Sequence, residues 1–345
     1  MTITQRHFYV GTYTDAPSQS RGIVRIALDT QTGEITRLED VCVLRNPSYL
    51  VNTSTGLYTF SEVSEQEGAQ VVHLQPADKN GAMNCAPIHG DAPCHIAIDA
   101  TQRFVAVANY GSGNVSVHLL DKNHHPSSTS TTLFVDGFGP KTHRQSSPHA
   151  HQVTFIDGQL VVVDLGSDRV HFYRHQDSLA SFELDYSVAL SPGSGPRHLV
   201  FNQACNLAYV VCELSETLAV LTYSQGRWSQ SAEIPLLPEE TVYEAASAIY
   251  LSQDERYVYV SCRKQNCLSI LDVSVTPPQN IGRLDTQGQF PRDFTLSACE
   301  HWLLVANQHS NNIISFHRHT LTDAFRSTGY ECSIDAPVCL VEYQA

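Results

Sequence analysis

A short motif recurs along this 345-residue chain, and its spacing limits the possible folds more than any other feature. Each copy joins a turn, usually one with proline, to a run of apolar residues. The seven copies are anchored at Pro47, Pro93, Pro148, Pro196, Ala246, Pro291 and Pro337. Their separations of 46, 55, 48, 50, 45 and 46 residues average about 48. A steady period of this length is typical of proteins built from repeated supersecondary units.

Each copy is followed by a second apolar run, a polar turn and an alternating run. The segments RFVAVANYG and NVSVHLLD show the alternation and the Val, Tyr and Phe enrichment that are typical of β-strands. About four short strands per unit predict a propeller blade, and seven units predict an all-β, seven-bladed β-propeller. We expect one propeller domain over residues 1–345.

The two ends of the chain predict how the ring closes. The N-terminal segment HFYVGTYT reads as a second strand with no first strand before it, whereas the last copy at Pro337 has no further strands after it. We expect the C-terminal strand to complete the N-terminal blade, which would leave no free sheet edge. The spacing of 55 residues indicates an insertion loop at about 123–147, which is either an exposed connection or a lid.

The charge and the ends limit the partners and the compartment. A net charge of -14 argues against binding to nucleic acid or to anionic lipid, because both need clustered Lys and Arg. The chain has no stretch of about 18 apolar residues, and MTITQRHFYV lacks the apolar core of a signal peptide. We therefore expect a cytoplasmic protein. The ten cysteines form no C-x-x-C pair, which favours free thiols.

Polar residues at equivalent repeat positions indicate a ligand site. If the anchor strand is innermost, its start meets the end of the next strand at one mouth of the axial channel. The residues expected there include His95, His149, His151, Arg197, His198, Glu213, Arg263 and Arg292. The three arginines favour anion binding, and Glu213 is either their partner or a base. Asn109, Asp164 and Asn307 precede turns and are expected to cap them.

The chain also resembles a known family along essentially its whole length. GTYT, NPSYL, VANYGSGNVSV, PHAH, VVVDLGSDRV, GSGPRHLVF, YVVCEL, YVSCR, FPRDF and LLVANQHSNN are similar to segments of the lactonase family of seven-bladed propellers. That family includes enterobacterial-type 6-phosphogluconolactonases and fungal carboxy-cis,cis-muconate lactonizing enzymes. The resemblance implies a site made of His151 or His149, Arg197, Glu213, and Arg263 or Arg292. The fifth copy, EAASAIYL, departs from the family pattern by lacking Pro and His.

These observations lead us to expect hydrolysis of a small anionic sugar-acid lactone, with 6-phosphogluconolactone first, and without metal or cofactor. His151 or Glu213 would activate water, and Arg197 with His198 would stabilise the oxyanion. Arg263, Arg292, His198 and His95 would bind the substrate. Two alternatives remain open at this point, which are a carboxy-muconate cycloisomerase and a non-catalytic propeller that binds a protein partner. The sequence leaves the oligomeric state undetermined.

Overall fold

The computed structural model describes residues 4–75, 83–176, 181–319 and 324–343. Within them the chain forms seven antiparallel sheets of four strands each and one short 3-10 helix, Glu65–Glu67. No helix in these ranges is long and apolar enough to cross a membrane. All ten cysteines lie in the described ranges and are free, and six of them are buried.

The strands follow one another along the chain with short connections. Those of the first half are β1 (Gln5–Thr12), β2 (Gly22–Asp29), β3 (Ile35–Val43), β4 (Val51–Thr53), β5 (Gly56–Phe60), β6 (Gln70–Leu74), β7 (Met83–Pro87), β8 (Pro93–Ile98), β9 (Phe104–Asn109), β10 (Val115–Leu120), β11 (Pro126–Leu133), β12 (Ala150–Ile156), β13 (Gln159–Asp164), β14 (Arg169–His175) and β15 (Phe182–Ala189). Those of the second half are β16 (Pro196–Phe201), β17 (Leu207–Cys212), β18 (Thr217–Ser224), β19 (Arg227–Pro235), β20 (Ala246–Leu251), β21 (Tyr257–Cys262), β22 (Cys267–Asp272), β23 (Gln279–Asp285), β24 (Pro291–Leu296), β25 (Trp302–Asn307), β26 (Asn312–Arg318), β27 (Phe325–Ser333) and β28 (Pro337–Tyr343).

The sheets are the blades of a propeller, and the first strand of each blade is innermost. Blade 1 has the order β28-β1-β2-β3, and blades 2 to 7 take four consecutive strands each, from β4 to β27. Each first strand contacts the first strands of both neighbouring blades, so these strands form a closed ring around the axis. The predicted seven-bladed propeller is confirmed.

The two chain ends meet in blade 1, as expected. Strand β28 pairs antiparallel with β1, with Val10 opposite Leu340. The rings of Tyr9 and Tyr343 stack with centroids 4.1 Å apart across this pair, and Arg6 forms an ion pair with Glu342. The predicted closure of the ring by the C-terminal strand is therefore confirmed, and the inner edge of β1 is covered.

Apolar packing lies between blades rather than inside any one of them. There is one buried cluster at each of the seven interfaces between neighbouring blades of the described chain. In β13, Leu160 and Val162 pack toward blade 3, whereas Val161 and Val163 pack toward blade 5. Because successive side chains of a strand point to opposite faces, a second strand buried on both faces needs an unbroken apolar run.

The insertion between blades 3 and 4 differs from its prediction. Part of the range 123–147 is regular structure, because Pro126–Leu133 forms β11, the outermost strand of blade 3. The connection that remains, residues 134–149, leads from β11 to β12 on the face where first strands begin. That face carries the opening of the axial channel where first strands begin and second strands end, which we call the mouth.

Candidate active site

A repeated β-bulge determines which residues of the first strands reach the mouth. Pairing between first and second strands slips by one residue near the start of the first strand in six of the seven blades described, blade 2 being the exception. A bulge leaves the extra residue unpaired and redirects its side chain. The extra residues are Cys94, His151, Arg197, Arg292 and Val338, and in blade 6 the shift spans Ser247 and Ala248.

This bulge corrects the alignment of the third copy, which belongs to blade 4. Ala150 pairs with Asp164 just as Pro196 pairs with Cys212, so Ala150 and not Pro148 is the structural equivalent of the other anchors. His151 is then the equivalent of Arg197, because each is the extra residue of its bulge. His149 lies before the strand.

A second ring of residues follows the second strands and is held by one hydrogen bond that recurs in every blade. The backbone N–H of each residue donates to the carbonyl oxygen of the residue directly before the first strand, or in blade 2 to that of Asn46, which precedes Pro47, at 2.7–3.1 Å. The residues so held are Tyr13, Glu62, Tyr110, Leu165, Glu213, Arg263 and Gln308. In blade 5 the accepting residue is Gly195, at φ +60°, where an added Cβ would lie 2.3 Å from the Leu214 side chain. Only glycine fits there.

Asn109, Asp164 and Asn307 precede this ring by one residue and support the turns, as the sequence predicted. Asp164 accepts hydrogen bonds from the backbone N–H groups of His149 and Gly166, at 2.6 and 3.0 Å. Asn109 Nδ2 donates to Asn114 Oδ1 at 2.8 Å. Tyr110 occupies in blade 3 the ring position that Glu213 occupies in blade 5.

Glu213 is the centre of the site and contacts three guanidinium groups. Its Oε1 lies 2.7 Å from Arg144 Nη2 and 3.1 Å from Arg263 Nη2, and its Oε2 lies 3.2 Å from Arg197 Nε. Its side chain is 4% exposed. Burial opposes ionisation, but Arg263, Arg197 and Arg144 outweigh it and hold the pKa of Glu213 well below its usual value. The carboxylate is therefore ionised at neutral pH.

Arg144 is a residue of this candidate site that sequence reasoning missed. It comes from the connection 134–149, whose position is fixed by Lys141 Nζ, which donates to Glu244 Oε1 at 2.7 Å and to the Leu214 carbonyl at 2.8 Å. The buried Gln145 donates to the Leu165 carbonyl at 2.9 Å. Two signals were available, because the segment KTHRQSS is basic and insertions in repeat proteins gather on the binding face.

Arg292 is linked to the other carboxylate of the mouth through a tyrosine. Its Nη2 donates to the hydroxyl of Tyr13 at 2.8 Å, and that hydroxyl donates to Glu62 at 3.0 Å. Burial lowers the pKa of Arg292, but Tyr13 and Glu62 outweigh this effect and raise it above its usual value. Arg292 is therefore positively charged at neutral pH. Sequence reasoning also missed Tyr13, which is uncharged and occupies the Glu213 position of blade 1.

Buried imidazoles line the axis beside the arginines. The ring centroid of His198 lies 5.2 Å from that of His151 and 5.1 Å from that of His95. Burial and the charge of Arg197 lower the pKa of His95 to about 3, and they lower those of His151 and His198 well below the usual value. All three rings are neutral at neutral pH. His198 Nδ1 lies 3.3 Å from Arg197 Nη1.

His149 and His151 occupy different environments. His149 Nδ1 donates to the Tyr110 carbonyl at 2.7 Å, and its ring stacks on that of Tyr110 at 4.5 Å. His151 is 6% exposed, and its Nδ1 lies 3.9 Å from Cys94 Sγ. The structure therefore brings His151, Arg197, Glu213, Arg263, Arg292, His198 and His95 together, whereas His149 lies behind Tyr110.

Cations outnumber ionised carboxylates at the mouth. Arg144, Arg197 and Arg263 converge on Glu213 alone, and Arg292 adds a fourth guanidinium. Glu62 is the second carboxylate. Asp293, deeper in the channel, accepts the Leu340 N–H at 2.7 Å, and burial raises its pKa to about 6. In the described residues no group of three or more His, Cys, Asp or Glu is arranged to hold a metal ion.

Comparison with known proteins finds relatives that share this architecture. Residues 7–342 match the family described as "Lactonase, 7-bladed beta-propeller". The 6-phosphogluconolactonase of Bacillus subtilis is 31% identical, over 96% of this chain and 97% of that protein. A protein structure from Bacteroides fragilis superposes with a TM-score of 0.89 at 27% identity, covering 100% of this chain and 99% of the other. The periplasmic gluconolactonase of Pseudomonas aeruginosa superposes with a TM-score of 0.88 at 26% identity and 99% coverage of each chain.

Proposed function

The chain belongs to the lactonase family of seven-bladed β-propellers, and from this premise we propose that it hydrolyses a sugar-acid lactone, with 6-phosphogluconolactone as the substrate. The observation that carries the proposal is the excess of buried guanidinium groups around Glu213 at the channel mouth. Desolvated arginines bind small anions strongly, through charge-assisted hydrogen bonds. An acidic protein of net charge -14 thus offers a cationic site to a phosphorylated or carboxylated lactone.

His151 is proposed as the general base. A neutral imidazole can accept a proton from water, and burial together with Arg197 keeps the pKa of His151 low enough for the ring to be neutral. Glu213 is a poorer candidate because its three guanidinium partners hold its pKa well below the usual value. We assign Glu213 the role of orienting Arg144, Arg197 and Arg263.

Arg197 is proposed to stabilise the oxyanion. Water that loses its proton to His151 attacks the lactone carbonyl, and the negative charge that forms on the carbonyl oxygen is met by the Arg197 guanidinium. The tetrahedral intermediate collapses by breaking the bond between the carbonyl carbon and the ring oxygen. The proton on His151 passes to the departing alkoxide, which leaves the open-chain acid. Arg263 and Arg292 bind the anionic substituent.

The decisive test is the Arg197→Ala variant in an assay of lactone ring opening. Loss of one oxyanion donor is expected to lower kcat by roughly 100- to 1,000-fold. The matched control is Arg174→Ala, because Arg174 is 65% exposed on an outer region of blade 4. Equal kcat/KM in the two variants would rule out the role of Arg197.

Substrate identity is tested by comparing three compounds with the wild-type protein. We expect 6-phosphogluconolactone to have the highest kcat/KM. Similarity to the Pseudomonas gluconolactonase supports unphosphorylated glucono-δ-lactone as the second candidate. Preferential turnover of a carboxy-muconate would identify a cycloisomerase instead, and turnover of none of the three would favour a non-catalytic binding propeller. The cytoplasmic location stays a prediction.

A further inference from the structure

Two basic residues stand on the rim of the mouth next to each other, and neither belongs to the site described so far. Lys264 and His309 each follow, by one residue, the ring position of their blade. The other equivalents are Thr14, Val63, Gly111, Gly166 and Leu214. Ionisable side chains at this position thus occur only in blades 6 and 7, on the side of the mouth that also carries Arg263 and Arg292.

Phe290 joins these residues into one cluster. Its ring stacks on that of His309 with centroids 4.0 Å apart, and its face is 5.2 Å from Arg263 Cζ and 5.8 Å from Lys264 Nζ. Both cations are within the range of a cation–π interaction. The aromatic ring therefore lies between the buried guanidinium of Arg263, which contacts Glu213, and the exposed side chains of Lys264 and His309.

The backbone conformation of Phe290 supports a functional role for its side chain. Phe290 has φ +63°, a left-handed conformation that is unfavourable for a bulky residue. The positions before Pro47, Pro93, Pro196 and Pro337 also have positive φ, but they carry Asn, Ala, Gly and Ala. An aromatic residue at this strained position needs a reason beyond the fold. The Asn266 side chain holds it there by accepting the Phe290 N–H at 2.9 Å.

The positive charge of Lys264 is uncompensated. Lys264 is exposed, and no carboxylate of the described residues lies within 4.0 Å of its ammonium group, whereas Lys141 is paired with Glu244. Burial and the nearby charges of Lys264, Arg263 and Arg292 lower the pKa of His309. The His309 ring is therefore neutral at neutral pH in the free protein, and an anion that arrives beside it raises its pKa. The loop between β21 and β22 is fixed beside Lys264, because Gln265 Nε2 donates to Glu216 Oε2 at 2.6 Å.

We propose that Lys264 and His309, held on Phe290, join Arg263 and Arg292 in a phosphate subsite that selects phosphorylated sugar-acid lactones over unphosphorylated ones. This inference rests on the proposed function and deepens it. In 6-phosphogluconolactone the phosphate is carried by the CH2 group attached to the carbon that bears the ring oxygen, so it lies on the leaving-group side of the carbonyl. The guanidinium of Arg263 contacts both Glu213 and the Phe290 ring. With the lactone carbonyl at Arg197, Arg263 therefore lies between the carbonyl and the phosphate. The compact charge of a lysine suits a phosphate dianion.

Selectivity between two lactones tests this subsite. For Lys264→Gln, the ratio of kcat/KM for 6-phosphogluconolactone to kcat/KM for glucono-δ-lactone is expected to fall roughly tenfold, through KM, as for one lost hydrogen bond to a charged group. His309→Gln is expected to lower the same ratio. The matched control is Lys122→Gln, since Lys122 is exposed in the β10–β11 turn on the opposite face. A ratio for Lys264→Gln equal to that of the control overturns the subsite and leaves lactone hydrolysis standing.

Binding of inorganic phosphate provides a readout that needs no turnover. Calorimetry on the wild-type protein and on Lys264→Gln is expected to show weaker phosphate binding in the variant, by roughly tenfold. Equal affinity in the variant and in Lys122→Gln overturns the proposal. If the wild-type protein turns over neither lactone, the proposed function fails, and the phosphate measurement alone decides whether the subsite exists. Turnover of glucono-δ-lactone alone by the wild-type protein overturns the proposed selectivity directly.

Discussion

At the scale of single residues, the site depends on a carboxylate that is surrounded by more positive charge than it can neutralise. Glu213 meets Arg144, Arg197 and Arg263 within 3.2 Å. Removing one partner from a buried charge network leaves the others uncompensated, which costs more than the net strength of the pairs themselves. We therefore expect Glu213 both to stabilise the mouth and to orient the groups proposed to bind substrate.

Replacing this carboxylate is expected to destabilise the protein in a pH-dependent way. Glu213→Gln should lower the free energy of unfolding at pH 7 by about 3–5 kcal/mol. The folded-state pKa of Glu213 is lower than its unfolded value of about 4.5, so its stabilisation is complete above that pH and is lost as the pH falls through the folded value. Denaturant unfolding measures the free energy of unfolding of wild type and variant. The difference between the two proteins should be smaller at pH 3 than at pH 7.

The control for this measurement is Glu239→Gln. Glu239 is exposed, and a substitution at such a position changes stability by less than about 0.5 kcal/mol. A difference between wild type and Glu213→Gln that widens from pH 7 to pH 3 would contradict the assigned charge state.

The two histidines of the third copy, His149 and His151, are expected to differ in their effect on the pH profile. Because the pKa of His151 lies below its usual 6.5, kcat/KM should rise through an inflection below that pH and then level off. His151→Gln should lower kcat/KM and remove the inflection, whereas His149→Gln should keep it. Steady-state kinetics between pH 4 and 8, corrected for spontaneous hydrolysis, measures both. The opposite pattern would assign the base to His149.

At the scale of elements, the connection 134–149 reaches across the mouth from blade 3 to blade 5. Lys141 ties it to Leu214 and Glu244, and Arg144 extends from it to Glu213. The sequence left open whether this insertion is an exposed loop or a lid. These contacts hold the connection 134–149 across the mouth, and we call it the strap. Its position determines where one of the three guanidinium groups on Glu213, that of Arg144, lies.

Releasing this strap is expected to weaken catalysis without unfolding the protein. In Lys141→Ala, amide hydrogen exchange of residues 140–146 should accelerate, because segments with few tertiary contacts open more readily. Loss of the Arg144 contact should then lower kcat/KM several-fold. Lys122→Ala, in a turn on the opposite face, serves as control. Unchanged exchange in Lys141→Ala would show that Gln145 and its neighbours hold the strap alone.

The same elements show what sequence reasoning could and could not reach. The period and the apolar alternation predicted the blades, because each strand must present apolar residues to two neighbours. No feature of the sequence marks the β-bulge. Pro148 lies two residues before the structural anchor Ala150 and displaced the alignment of the third copy, so the choice between His149 and His151 stayed open. The contact between Arg144 and Glu213 joins residues 69 positions apart through an insertion that no repeat predicts.

At the scale of the whole molecule, stability depends on the pairing of the two chain ends. Strand β28 supplies the inner strand of blade 1, and it contacts the inner strands of blades 2 and 7. Without it, the closed ring of first strands has a gap, and the apolar clusters at both interfaces of blade 1 lose Cys339 and Leu340.

Truncation after Ala336 is expected to abolish cooperative unfolding. A circular permutant that begins at Ile334 and joins Ala345 to Met1 by a flexible linker keeps β28 next to β1, and it should fold and retain lactone hydrolysis. Thermal unfolding followed by circular dichroism compares the two proteins. A cooperative transition in the truncated chain at the wild-type temperature would show that six complete blades and three strands suffice.

The closure of blade 1 also has a consequence for biosynthesis. Arg6 and Glu342 are 336 positions apart, so the first blade cannot be completed until the last strand has left the ribosome. At synthesis rates of about 5–20 residues per second, that delay is of the order of tens of seconds. For this time the inner edge of β1 is an unpaired strand, the kind of edge that recruits other chains. We therefore expect nascent chains to depend on chaperones until the final strand arrives.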